Sequence, residues 1–325
     1  MDNSSYGPKI LVTPNDVVLD MDELTDGGDS RSRFRLFIDA GPSGLNEVQE
    51  ALYFTGNRVP SHEHFGNVFE TFLIEKGVIE FLQLSKKAKL KRGDMLHIMP
   101  NMPHSIHCLE DGTIYRAFHQ GLWLTRFVFM DRSFVDRHPD VHQSPEFKKL
   151  NAVYDKSAWF DYILPECKDV SQREIPSIRP YDFALAEYSY EGITLKLKVG
   201  RWETNGLKEV WQFRLSKGYK ISWEILQPFI LLYEVFDGSV RVTIEGMEPF
   251  VAKTRDLLHI PKFLAGSIEA LEDTVLLDTG CQGYLTRFMD ELNTYKVKDP
   301  AKLKDRAFIN ELMKKNEYYV LFENL

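Results

Sequence analysis

An all-β fold made of two related barrels or sandwiches is what this sequence predicts, on three observations. Short runs rich in Val, Ile, Phe and Tyr, at 69–74, 78–84, 229–236 and 240–244, alternate with Gly, Asn and Asp turn signals. Such spacing favours antiparallel strands over βαβ units. The chain has 325 residues, enough for about two ordinary domains. Its halves are also related: Leu124-Thr125-Arg126-Phe127 recurs as Leu285-Thr286-Arg287-Phe288, an offset of 161 residues. The same offset carries Gly77 onto Gly238 and Pro100 onto Pro261, so three separated landmarks share one register and imply a duplicated fold.

The elements follow in order. Residues 1–131 form a first barrel and 181–297 a second. Between them, 132–180 carries scattered Pro, Asp and Lys with short aromatic patches and reads as an ordered connector with one or two helices. The tail, 298–325, differs from both copies. From Pro300 to Lys315 it reads as a helix with Pro in its first turn and Leu303, Phe308, Ile309 and Leu312 on one side, a packing element without chemistry of its own.

Composition narrows the function classes. With 43% apolar and 13% aromatic residues the chain can bury real cores, and runs such as 226–235 are too short and interrupted to span a bilayer. A net charge of −8 without a basic block argues against a nucleic-acid partner. The start Met1-Asp2-Asn3-Ser4-Ser5 lacks a secretory pattern, and Cys108, Cys167 and Cys281 share no close spacing. A reducing, cytoplasmic setting without disulfides is expected. No glycine-rich phosphate loop implies a nucleotide.

The chemistry gathers at His62 and His64, which on a strand project from one face. Glu70, after a Gly66-Asn67 turn signal, and His104 are available to complete a ligand set. Neutral imidazoles and one carboxylate hold a divalent transition metal, iron, nickel, manganese, copper, cobalt or zinc, and leave it a net positive charge with open positions. Structural zinc sites are closed and cysteine-rich, which this set is not. In the second copy the 161-residue offset puts Trp223, Ile225, Leu231 and Ala265 at these positions, so that barrel is structural or shapes the substrate, and its His259 falls opposite Ile98. His107 lies an odd number of residues from His104 and should face the other way. His97 and His119 lie in strand-like runs within reach of the cavity, though ordinary hydrogen-bonded histidines are the commoner case, and His138 and His142 belong to the connector. Tyr53, Phe65, Phe69, Phe72, Tyr115 and Trp123 are candidates to line the barrel, and aromatic walls suit a planar organic ligand.

Gly56, five residues, His62, one residue, His64, then Glu70, six residues and Gly77 resembles the first cupin motif. Gly93 with Asp94 opens a stretch resembling the second motif, with His104 eleven positions after the glycine. The turn between His64 and Glu70 is longer than usual, and Met99, Asn101 and Cys108 replace the expected Pro, Gly and Asn, although Asn tolerates a left-handed backbone. The resemblance implies a bicupin: two cupin (double-stranded β-helix, jelly-roll) barrels with a connector and a C-terminal helix. Its layout is similar to quercetinase-like bicupins. That similarity implies a metal-dependent dioxygenase acting on an aromatic or enolic, flavonol-like small molecule, with His62, His64, His104 and Glu70 as metal ligands and Glu70 alternatively a general base. Partners would be the organic substrate, dioxygen and a second copy in a homodimer, with no nucleic acid and no membrane. The alternatives are a non-redox isomerase, lyase or hydrolase of a carbonyl compound, and a non-catalytic small-molecule-binding bicupin.

Overall fold

The computed structural model describes residues 46–120 and 167–323 apart from 65, 67, 225 and 226, with the short strands Leu11–Thr13, Glu23–Leu24, Ser32–Ile38 and Ser157–Trp159 and the isolated positions 145 and 149. The chain divides into two compact units, Val18–Phe183 and Ala184–Leu325 joined by Met1–Val17. Each contains the same eight strands. In the first they are β1 (Asn46–Tyr53), β2 (Arg58–His64), β3 (Glu70–Lys76), β4 (Val78–Gln83), β5 (Lys86–Lys91), β6 (Met95–Ile98), β7 (His104–Cys108) and β8 (Thr113–Gln120). In the second they are β9 (Glu209–Leu215), β10 (Lys220–Trp223), β11 (Leu231–Asp237), β12 (Ser239–Ile244), β13 (Phe250–Lys253), β14 (Leu257–Ile260), β15 (Gly266–Ala270) and β16 (Thr274–Cys281).

The sheet orders are β6-β3-β8-β1 facing β5-β4-β7-β2, and β14-β11-β16-β9 facing β13-β12-β15-β10. Successive strands thus alternate between sheets in the jelly-roll manner except at the hairpins β4–β5 and β12–β13, which stay within one sheet, and the expected all-β fold of two cupin-type barrels is the one observed. Side chains alternate across each strand, so Ala51, Phe72, Ile74, Tyr115 and Ala117 share the first barrel's interior while Glu50, Glu75 and Arg116 take the other face. On that outer face Arg116 donates to Glu50 at 2.7 Å, which keeps the buried charge compensated.

The repeat is deeper than the sequence suggests. Strands β3, β4 and β8 map onto β11, β12 and β16 at the offset of 161, and Ser32–Ile38 maps onto Ile193–Val199. Ser157–Trp159 pairs with β2, Trp159 opposite His62; Val320–Phe322 pairs with β10, Val320 opposite Trp223. The tail is therefore not foreign to the repeat. At the positions of the connector that are described, the tail matches it: helical Pro145 and Lys149 fall under Arg306 and Asn310 of a tail helix. Most of the expected connector lies outside the described residues.

The tail also starts earlier than expected. Leu285 opens helix α1 (Leu285–Lys298), Pro300–Lys304 is a 3-10 turn, and Asp305 caps helix α2 (Arg306–Lys315) by accepting from the backbone N–H groups of Ala307 and Phe308. That cap splits what the periodicity reads as one helix. Glu209 of β9 accepts from Thr286 N and Oγ1, supplying α1 with the N-terminal acceptor its own Tyr284 lacks. Among helices of the described residues, none is long and apolar enough to cross a membrane, and the three cysteines are free.

Gly77 and Gly238 sit at φ of +79° and +89° in equivalent hairpin turns, and a Cβ would collide with Thr113 Oγ1 in one and meet Thr274 Oγ1 at 2.7 Å in the other. Asn101, at φ +59°, takes the left-handed turn expected of it.

Candidate metal centre

Strand β2 carries His62 and His64, β3 opens with Glu70, and β7 opens with His104. Across β2 and β7, His104 pairs with His62 but Ile106 pairs with Val59, so β2 holds an extra residue around Pro60-Ser61. This bulge lets Val59 pack on the core while His62 and His64 keep their common face. Ser105 Oγ donates to the Val59 carbonyl at 2.8 Å and fastens it. The backbone N–H of Asn101 donates to the His64 carbonyl, tying the loop before β7 to the ligand strand.

All four side chains are buried. One candidate ligand atom each from His62, His64 and Glu70 lies within 4.8 Å of the others. His104 stands outside that trio but reaches the same carboxylate. Glu70 Oε1 is 3.2 Å from His64 Nε2 and Glu70 Oε2 is 3.0 Å from His104 Nε2, and the His62 and His104 rings lie 4.2 Å apart. His104 donates Nδ1–H to the Met102 carbonyl at 2.9 Å, so the neutral ring turns an acceptor Nε2 inward, the tautomer a metal ligand needs. His104 Nε2 and Glu70 Oε2 are buried and make no hydrogen bond of proper geometry. Two convergent acceptors facing each other are mutually repulsive unless a cation or proton lies between them, so the donor set fits a divalent metal.

Burial pushes the Glu70 carboxyl up, but positive charge on the adjacent His64 and His104 rings, when they carry a proton, outweighs it and holds the carboxyl well below the ordinary carboxylate range. Above it, Tyr53 and Tyr115 stack at 5.3 Å with their hydroxyls 3.2 Å apart. Burial first, then Tyr53 and Glu70, hold the Tyr115 phenol well above its usual range, so it stays a neutral hydroxyl. Phe72 meets Tyr115 edge-on at 5.1 Å.

The remaining sequence candidates sort by face. His107 points away from the centre as expected, with Nδ1 3.6 Å from Glu80. His97 pairs with Thr71 on the outer side, its Nδ1 3.1 Å from Thr71 Oγ1, and stacks on Phe69, so neither His97 nor Phe69 lines the cavity. His119 faces inward with Tyr115 and Ala117 and hydrogen-bonds Gln49 at 2.8 Å. Glu47 and Gln49 were not singled out from sequence, although alternation back from Tyr53 and Ala51 puts both on the inner face. Phe65, Trp123, His138, His142 and Ile225 lie outside the described residues.

Two positions of the second copy need correction. Trp223 pairs with Gly266 as His62 pairs with His104, so the counterpart of His104 is Gly266, not Ala265. His259 pairs with Leu232 as His97 pairs with Thr71, so it matches His97 rather than Ile98. The second copy gains one residue before β14 and loses it in the shorter turn before β16, a slip that a constant offset hides.

No protein-family model matches the chain, and no curated protein does. Among solved structures it is similar to oxalate decarboxylase from Bacillus subtilis at pH 4.6, with 14% identity and a TM-score of 0.47 over 79% of this chain and 73% of that one. It is also similar to the formate complex of Lactobacillus farciminis oxalate decarboxylase, with 13% identity and a TM-score of 0.48 over 80% and 83%. Likeness at this level concerns the course of the strands and carries no activity across. The strand order of both barrels makes this chain a bicupin in fold.

Proposed function

We propose that the chain is a metal-dependent enzyme whose single centre, in the first barrel, acts on an aromatic or enolic small molecule. The observation that carries this reading is the convergence of His62, His64, His104 and Glu70, with buried acceptors on His104 and Glu70 that a cation would satisfy. A divalent metal held there would supply Lewis acidity at a substrate oxygen and, if redox-active, reactivity toward dioxygen.

The chain's own residues do the rest. Glu70, held ionised by its histidine neighbours, is placed to take the proton of a substrate hydroxyl, or to remain a ligand while the substrate arrives already ionised. Tyr53, Tyr115 and Phe72 form a buried aromatic cluster in the interior of the same barrel, and their burial would keep bulk water from competing for an ionised substrate oxygen. Dioxygenation of an enol is the leading form of this reading, and a non-redox lyase or isomerase step on a carbonyl compound uses the same residues.

Metal analysis of the purified protein, followed by oxygen uptake over a panel of enols and phenols, tests it. One transition-metal ion per chain and uptake that stops without oxygen are expected. Turnover that persists anaerobically would replace the dioxygenase by the lyase or isomerase, and absence of a stoichiometric metal would leave a binding protein.

A further inference from the structure

On the reading that the first barrel holds a metal, we infer that Gln49 and His119 are the substrate-positioning pair of that site, hydrogen-bonding a carbonyl or hydroxyl oxygen of the substrate.

His119 lies on β8, whose Ala117 pairs with Phe72 of β3; carried two residues further along the antiparallel ladder, His119 reaches the level of Glu70. It is buried, shares the interior face of Tyr115 and Ala117, and meets the Phe72 ring edge-on at 5.1 Å. Gln49 is the next inward residue along β1 from Ala51, and its Nε2 lies 2.8 Å from His119 Nε2. A carboxamide nitrogen only donates, so His119 Nε2 must accept. Glu47, buried and paired across the strands with His119, adds a carboxylate on the same side.

The second barrel supports a role tied to the centre. Ala117 pairs with Gln49 as Asp278 pairs with Trp211, so Trp211 stands where Gln49 does, and the 161-residue offset puts Gly280 at His119. Hence the pair is absent from the barrel where His62, Glu70 and His104 have become Trp223, Leu231 and Gly266. A hydrogen bond kept only to hold the fold would have no reason to follow the ligands.

The test uses the full chain loaded with Co(II), with 4-nitrocatechol as the visible probe. His119→Phe and Gln49→Leu should keep one Co(II) per chain and the wild-type ligand-field spectrum, while probe affinity falls about tenfold or more, the size of a hydrogen bond to a charged oxygen. His119→Asn, which restores an N–H near the Nδ1 position, should recover part of it. Unchanged probe affinity in His119→Phe, or loss of Co(II) from it, would overturn the assignment, the latter by making His119 a ligand. Wild-type protein that takes up no Co(II) would instead overturn the metal centre, and the positioning role with it.

Discussion

The two barrels share a strand order and differ at one end. In the first, His62 and His104 face each other across β2 and β7 with rings 4.2 Å apart. In the second, the same rung holds Trp223 and Gly266, and a Cβ on Gly266 would meet Trp223 Cζ2 at 2.7 Å and the Thr243 carbonyl at 2.6 Å. One indole over a glycine has replaced two imidazoles, and Leu231 has joined the core where Glu70 stands. The ligand strand β2 is bulged, while β10 pairs regularly with β15. The lesson is that a jelly roll tolerates either content at this rung. The polar version brings together buried acceptors that a cation or a proton would satisfy, whereas the apolar version is satisfied by packing.

That contrast can be broken most directly by removing the polar rung. His62→Ala with His64→Ala should reduce bound metal from one ion per chain to background, measured by elemental analysis; full retention would place the metal elsewhere. The apolar rung should fail differently. Trp223→Ala leaves a void and should cost about 3–5 kcal/mol in urea unfolding while metal content stays at wild type.

Smaller effects sharpen the shared scaffold. Gly77→Ala and Gly238→Ala each force a side chain onto a left-handed backbone and into a threonine, and each should cost about 1–3 kcal/mol. Equal losses would show that the two turns remain equivalent.

The interiors should also differ in their response to pH. Burial pushes the Asp278 carboxyl of the second barrel up to about 7, above its unfolded value. Its contribution to stability is therefore fully present below pH 4 and is lost as pH rises toward and through 7. Wild type should gain on Asp278→Asn as pH falls across this window, by no more than about 1.4 kcal/mol per unit. A difference that does not move with pH would mean that Asp278 is not buried as a titrating group. Lys208, held down to about 7 by burial against the pull of Asp278, acts in the opposite sense between pH 10 and 7.

Much of this was legible along the chain because the governing rules are local. Alternation put His62 and His64 on one face and turned His107 away, and the glycines at 77 and 238 announced the same tight turn twice. What escaped depended on pairing. His97 and His119 are equally strand-like in sequence, and only the register of β6 against β3 and of β8 against β1 turns one outward and the other inward. The one-residue slip that exchanges Ala265 for Gly266 and moves His259 onto His97 is likewise set by the partner strand. The cap at Asp305 could have been read as a helix start, but Pro300 and the apolar spacing spoke for continuity.

By itself, the sequence determined the all-β class, the duplication and the shared face of His62 and His64, because side-chain period and turn chemistry are properties of a few neighbouring residues. Only the tertiary structure decided that Ser157–Trp159 and Val320–Phe322 take equivalent places in the two barrels, that strand Leu11–Thr13 pairs with β14 of the second barrel, and that Glu70 lies between His64 and His104. Those outcomes rest on contacts between residues far apart in the chain, whose register is fixed by which faces the whole barrel must bury.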